Sequence, residues 1–382
     1  MKRFCFSQKN SHIQYAGQQS ANFLEVTSSL EEKNRHQEKG HFFEWWYMDI
    51  TSNNGYHIVV IFHAPIYTFT FLEPITEVHV YNLNGEKIEQ RWCVGKRSVI
   101  LKDEYGVAID SNYFKGRYPQ YELFLKNEDF ELDLEFSSQT EGWKFGTGLL
   151  FRDNRETGRC FNWVVPVPRA TVSGKMKIGN KLIEVDGIGY HDHNWGNLVL
   201  RDFFSWWYWG RIFTDERTLV YANIKKKSGN ITPFMMARKG KIVISTDKIE
   251  TFQDYWTCRD TSLGFPRQLT IKVTDGNEKI ELTTKVYKII ESTEYYFNPF
   301  QELVSRKIFN AILSQSHFLS RIPFVGKTIK NNLGRSVYLR LLVNYDLTVN
   351  SKERFTGNSI QEIMLLRPAS KKISSTVGSH FY

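Results

Sequence analysis

The sequence predicts an all-β protein of two tandem antiparallel β-barrels, the second carrying a helical insertion. Three observations lead there. Phe42-Phe43-Glu44-Trp45-Trp46-Tyr47 returns as Phe203-Phe204-Ser205-Trp206-Trp207-Tyr208, and Trp is rare enough that two such strings mark a duplication into equivalent units rather than a short-period solenoid. Short apolar or alternating runs recur between turn dipeptides in both halves, the pattern of barrels or sandwiches. At 382 residues the chain can bury two cores of ordinary size.

Residues 1–40 are polar, with the run Glu31-Glu32-Lys33-Asn34-Arg35, and are expected to form a loosely ordered arm. The first barrel is placed at 41–196. Its turn signals are Asn53-Asn54-Gly55, Asn84-Gly85 and Gly179-Asn180, because Asn and Gly reach positive φ at low cost. Phe130, Leu132, Leu134 and Phe136 alternate with Glu131, Asp133 and Glu135, the two-residue period of a strand with one wet face. The second barrel is placed at 197–368. There Leu269 to Val273 and Ile280 to Leu282 flank Asp275-Gly276, a hairpin by turn chemistry. Leu303, Val304, Lys307, Ile308, Ala311, Ile312, Gln315 and Leu319 fall on one helical face until Pro323 and Gly326 break the pattern, so 299–336 reads as a helical insertion. Residues 369–382 read as a flexible tail.

Aromatic residues make up 15% of the chain, which suits a dense β core or an apolar cavity. Cys5, Cys93, Cys160 and Cys258 form no Cys-x-x-Cys pair. That spacing indicates neither a zinc site nor a disulfide framework, and a reducing compartment is the simplest reading. No apolar run has the length of a signal peptide or a membrane span, so a cytoplasmic location is expected. The formal charge is +9, and residues 301–340 carry Arg306, Lys307, Arg321, Lys327, Lys330, Arg335 and Arg340 against Glu302. No nucleic-acid-binding signature surrounds them, so no nucleic acid partner is expected. The amphipathic basic stretch from Val304 to Arg340 has two readings, peripheral contact with an anionic membrane surface or a packed helix with a solvated basic edge.

Gly187-Ile188-Gly189-Tyr190-His191-Asp192-His193-Asn194-Trp195-Gly196 is the stretch richest in chemistry. On a strand, Tyr190, Asp192 and Asn194 share one face while His191, His193 and Trp195 share the other. The glycines permit close backbone approach or a bulge. If Asp192 points into an aromatic cavity, burial disfavours its charge and keeps it a proton donor near neutral pH, with Tyr190 beside it on the same face. Two alternatives stay open. His191 and His193 can act as a pair of metal ligands, with His41, His57 or His63 as a third, or the motif is a buried hydrogen-bonded strut. Glu44 sits among bulky apolar residues, so it is paired or faces a pocket with Trp46 and Met48. Its cognate in the second copy is Ser205. In that copy Trp207, Trp209 and Arg211 share a face, and Phe204, Trp206 and Tyr208 the other; such rings line either a core or a cavity.

Glu44-Trp45-Trp46-Tyr47 together with the Gly187–Gly196 motif resembles the hydroxyneurosporene synthase family, also called carotenoid 1,2-hydratases, whose relatives include AttH-like bacterial proteins and fungal lipocalin-like Diels-Alderases. The resemblance spans roughly residues 40 to 365. It implies two lipocalin-like barrels, a ligand cavity at or between them, and no cofactor. Members add water to an unactivated alkene, cyclise a polyene, or hold one folded for a pericyclic step. By this resemblance Asp192 is the proton donor and Tyr190 its aromatic neighbour. The basic insertion at 299–336 lies outside what the resemblance accounts for.

These readings converge on a cofactor-independent enzyme, a hydratase or cyclase, acting on a hydrophobic polyene or terpenoid. Asp192 and Tyr190 are the catalytic candidates, with no metal. Glu44, Trp46, His191, His193, Trp195, Trp206, Trp207, Tyr208 and Arg211 are the candidate substrate contacts. The rivals are a pericyclase of natural-product biosynthesis, which works by confinement, and a non-catalytic lipid or pigment carrier.

Overall fold

The computed structural model describes residues 43–63, 74–82, 84–95, 98–99, 106–153, 158–226, 229–257, 264–297 and 334–366. The first sheet holds β1 (Phe43–Ser52), β2 (His57–His63), β3 (Ile75–Tyr81), β4 (Lys87–Val94), β5 (Ser98–Val99), β6 (Gly106–Ile109), β7 (Asn112–Arg117), β8 (Gln120–Asn127), β9 (Phe130–Ser138), β10 (Leu149–Arg152), β11 (Cys160–Ile178) and β12 (Lys181–Gly196). A four-residue helix, α1 (Leu200–Phe203), leads into the second sheet. That sheet holds β13 (Phe204–Phe213), β14 (Arg217–Lys226), β15 (Gly229–Ile231), β16 (Phe234–Arg238), β17 (Lys241–Thr246), β18 (Ile249–Thr257), β19 (Gly264–Asp275), β20 (Glu278–Phe297), β21 (Gly334–Val349) and β22 (Glu353–Leu365).

Both sheets are antiparallel, and both place their first strand in the middle. The order is β4-β3-β2-β1-β12-β11-β9-β8-β7-β6-β5 in the first, with β10 on β11, and β17-β16-β14-β13-β22-β21-β20-β19-β18 in the second, with β15 on β14. First and last strands therefore pair in each sheet, β1 with β12 and β13 with β22. The duplicated aromatic string is thus one structural element used twice, the ten-residue strand at the centre of each curled sheet.

Local sequence explains much of this. Strand β9 alternates between buried apolar and more exposed acidic positions. Gly276, at φ 57°, turns β19 into β20 in the expected hairpin, and Gly179, also at φ 57°, turns β11 into β12. The helical face at 300–319, the arm at 1–40 and the tail at 369–382 lie outside the described residues. Strand β21 begins at Gly334, so the last three positions assigned to the insertion are strand. Among the described residues no helix is long and apolar enough to cross a membrane.

Two sequence readings are corrected. Arg340 belongs to β21 and is fully buried, because an arginine in the middle of a strand follows the face its register dictates; it adds nothing to a basic surface. Cys160 is disulfide-bonded, a link that linear cysteine spacing cannot reveal, so the cysteine pattern no longer argues for a reducing compartment.

The core has three main parts. The inner face of the first sheet buries Trp46, Met48, Ile50, Phe62, Phe114, Leu132 and Phe136, and that of the second buries Ile212, Leu219, Phe234, Ile271, Leu282 and Leu347. Between the sheets lies a third cluster containing Phe43, Tyr47, Trp143, Phe161, Trp163, Tyr190, Phe204 and Trp209. Each such side chain, fully buried, contributes about 2 kcal/mol. Packing two sheets through aromatic rings thus holds them together and leaves irregular space between flat faces.

Candidate active site

Register fixes which residues meet. Across β1 and β12 the pairs are Trp45 with Asn194, Tyr47 with Asp192 and Asp49 with Tyr190, alternating with Glu44 opposite Trp195, Trp46 opposite His193 and Met48 opposite His191. Because neighbours point to opposite faces, the first set looks toward the second sheet and the other set into the core of the first. Gly189 is required for this alignment: a Cβ there would lie 2.5 Å from Val172 Cγ2 and 2.7 Å from Phe136 Cε1.

The space between the sheets is a half-open cleft with a cavity volume of about 140 Å³. The first sheet lines it with Trp45, Tyr47, Phe161, Trp163, Asp192 and Asn194, and with His63 and Glu77 at one end. The second contributes Trp207, Trp209, Ile224, Tyr338, Glu362 and Met364. Like small-molecule sites, the cleft combines apolar walls with a few placed polar groups.

Asp192 is the central polar group. Its Oδ2 accepts from Trp163 Nε1 at 3.0 Å and from the Tyr190 hydroxyl at 2.8 Å, and its Oδ1 accepts from Asn194 Nδ2 at 2.7 Å. Tyr190 in turn accepts from Trp209 Nε1 at 3.3 Å. Burial pushes Asp192 up to about 7, the bonds from Trp163 and Tyr190 opposing it and the charges of Glu362 and Asp49 adding to it. Desolvation outweighs the hydrogen bonds, so the group holds a proton over much of the neutral range. With both lone pairs of Oδ2 engaged, that proton belongs on Oδ1.

Across the cleft, Glu362 Oε1 accepts from the Tyr47 hydroxyl and from Arg340 Nε, each at 2.8 Å. Arg340 also donates to the hydroxyls of Tyr81 at 2.8 Å and Tyr338 at 2.7 Å. Glu77 sits 3.3 Å from His63 Nε2 and in close contact with His79. Burial would raise its pKa, but the bonds from the two imidazoles win and hold it down to about 2.

Several expected substrate contacts lie elsewhere, and alternation explains why. Glu44 pairs with His193 Nε2 at 2.9 Å, and Trp46 stacks on the same imidazole at a centroid distance of 4.6 Å. Trp195 packs on His193 at 4.8 Å. His191 bonds the Tyr47 carbonyl through Nδ1 at 3.0 Å, and burial lowers its pKa to about 3. These residues occupy the face of β1 and β12 turned away from the cleft. Trp206 and Tyr208 stack on each other at 4.4 Å in the core of the second sheet. Arg211 bonds Asp49 rather than lining the cleft. Phe204 departs from the strand alternation: a bulge between Phe204 and Trp206 turns it into the inter-sheet cluster. Of the expected residues, Asp192 and Trp207 line the cleft, with Tyr190 directly behind Asp192.

Among the described residues, no three His, Cys, Asp or Glu side chains gather as a metal site. His63 lines the cleft, and His57 bonds Thr51 at 3.2 Å. The sequence reading missed Tyr47, Trp163, Glu77, Arg340 and Glu362. Tyr47 was recoverable, as the residue flanked by Trp46 and Met48 on the other face; Arg340 and Glu362 come from strands far along the chain and left no local signal.

Comparisons with known proteins agree with this architecture. Hydroxyneurosporene dehydrogenase of Chlorobaculum tepidum is 28% identical over 127 residues, 32% of this chain and 30% of that protein; the chain thus spans under a third of that relative. Kievitone hydratase from Nectria haematococca superposes with a TM-score of 0.56 at 14% identity, covering 96% of this chain and 99% of that one. CghA superposes with a TM-score of 0.61 at 11% identity, covering 94% and 98%. At such identities the two structures speak for the fold alone. The AttH-like family model matches residues 84–299, more than half of the sequence, and the chain belongs to the AttH-like family.

Proposed function

We propose that this protein is a cofactor-independent enzyme that protonates an alkene of a hydrophobic polyene or terpenoid, with Asp192 as the acid. In this reading each sheet serves as a lipocalin-like barrel, and the cleft between them is the reaction chamber. The observation that carries it is a carboxyl group raised to about 7 by burial on the wall of a ring-lined cleft. A general acid works best when its pKa lies near the working pH.

The step balances within the cleft. The Oδ1–H bond of Asp192 breaks as the alkene π pair forms a C–H bond, leaving a carboxylate and a carbocation on the adjacent carbon. Tyr190, Trp163 and Asn194 already donate to the carboxyl group, so the charge that develops there meets oriented donors. The faces of Trp45, Trp163, Trp207 and Trp209 attract the cation. Water or an internal nucleophile then adds its electron pair, and the proton it loses returns to Asp192. Water addition is the reaction in the name of the structurally similar kievitone hydratase, and it is the outcome proposed here.

The test is to incubate the protein with an apolar extract of its source cells and follow masses that gain water or isomerise, for the wild type and Asp192→Asn. Loss of product in the variant with unchanged thermal unfolding supports the acid role. Undiminished turnover rejects it and moves catalysis to confinement alone. A ligand that co-purifies unchanged with both proteins, without turnover, identifies a carrier.

A further inference from the structure

The polar groups of the cleft say what kind of molecule it accepts, an inference that rests on the cleft being the binding site proposed above. The donors beside its carboxyl groups are already engaged within the protein. Tyr47 donates to Glu362, Trp163 and Asn194 to Asp192, and Trp209 to Tyr190. Carboxyl groups face the cavity from both sides, Glu77 and Asp192 from the first sheet and Glu362 from the second. Arg340, the cation paired with Glu362, is fully buried behind it and directs its other nitrogens at Tyr81 and Tyr338. Among the described residues, no lysine or arginine lines the cleft. This local balance is the reverse of the chain as a whole, whose net charge of +9 draws anions toward its surface.

We propose that the cleft selects an apolar molecule whose polar end donates a hydrogen bond, such as a hydroxyl, and rejects carboxylates and phosphates. A hydroxyl finds acceptors at Glu362 or Glu77. An anion placed there meets like charge in a desolvated setting and finds Tyr47 and Trp163 already donating to the protein's own carboxyl groups, so it loses hydration that these donors do not replace. An isoprenoid diphosphate is therefore excluded while the corresponding free alcohol fits. A reaction that removes the charged group must then precede this one.

Three probes that share one polyene body separate the alternatives: all-trans-retinol, all-trans-retinylamine and all-trans-retinoic acid. Trp45, Trp163, Trp207 and Trp209 line the cleft, so energy transfer to the polyene quenches their emission and reports binding. At pH 8 retinol and retinylamine are expected to bind at least tenfold more tightly than retinoate, since like charges about 5 Å apart at an effective dielectric of about 20 repel by more than that factor. Glu362→Gln, checked by thermal unfolding, should narrow the gap. If it does not fold, the wild-type comparison decides by itself. Retinoate binding as tightly as retinol overturns the inference and leaves the apolar chamber standing. No quenching by any probe removes both.

Discussion

Tyr190 donates its hydroxyl proton to Asp192 Oδ2 at 2.8 Å, and Trp209 Nε1 lies 3.3 Å from the same phenolic oxygen. An indole N–H can only donate, so the direction of the chain is set: Trp209 to Tyr190 to Asp192. The chain crosses the cleft, because Trp209 belongs to the second sheet and the other two to the first. The acid is thus oriented by both copies of the duplicated unit.

Tyr190→Phe removes a donor that favours the charged carboxylate. Asp192 should then hold its proton to higher pH, seen as a carboxylic acid C=O band persisting further into the alkaline range by infrared spectroscopy. Trp209 loses its acceptor in a buried site, at a cost of about 1–3 kcal/mol in unfolding free energy. Turnover should fall by less than in Asp192→Asn. A C=O band that titrates at lower pH than in the wild type contradicts this account.

The raised pKa of Asp192 also predicts a pH dependence of stability. Its unfolded value is near 3.8 and its folded value about 7. Between those limits the folded protein keeps a proton that the unfolded chain releases, so stability falls as pH rises. The contribution is full below about pH 4 and lost by about pH 7, worth roughly 4 kcal/mol. Glu77 acts in the opposite sense and in another window: held down to about 2 from 4.5, it contributes above pH 4.5 and loses that contribution as pH falls toward 2. The difference in urea unfolding free energy between wild type and Asp192→Asn should therefore slope with pH from 4.5 to 7. A flat difference means that burial does not raise this group.

The same duplication was legible in the sequence, and so was the alternation that puts Tyr190, Asp192 and Asn194 together. Alternation fixes which residues share a face; it does not say which face meets the other sheet. That is why Glu44, Trp46, His191 and His193 were expected at the ligand and are found in the core of the first sheet. Arg340 and Glu362 illustrate the second gap, because their meeting with Tyr47 depends on pairing between distant strands. The bulge before Trp206 is a third: one extra residue reverses the face of Phe204 without a glycine to announce it.

Asp49 and Arg211 tie the central strands of the two sheets together, and their removal should show how much of the assembly rests on them. Arg211 Nε donates to Asp49 Oδ1 at 2.7 Å, and its guanidinium lies 4.4 Å from the Phe213 ring. Burial pushes Asp49 up while Arg211 pulls it down. Asp49 Oδ2 has no hydrogen-bond partner among the described residues, so the arginine carries most of the compensation. Arg211→Met should cost about 3–5 kcal/mol, since it strands a buried carboxyl group, whereas Asp49→Asn combined with Arg211→Met should recover most of the loss. Denaturant unfolding of both variants measures this. Neither residue lines the cleft, so the double variant should keep retinol affinity within about twofold. A large loss of affinity in a stably folded double variant shows instead that this ion pair sets the spacing of the two sheets, and with it the width of the chamber.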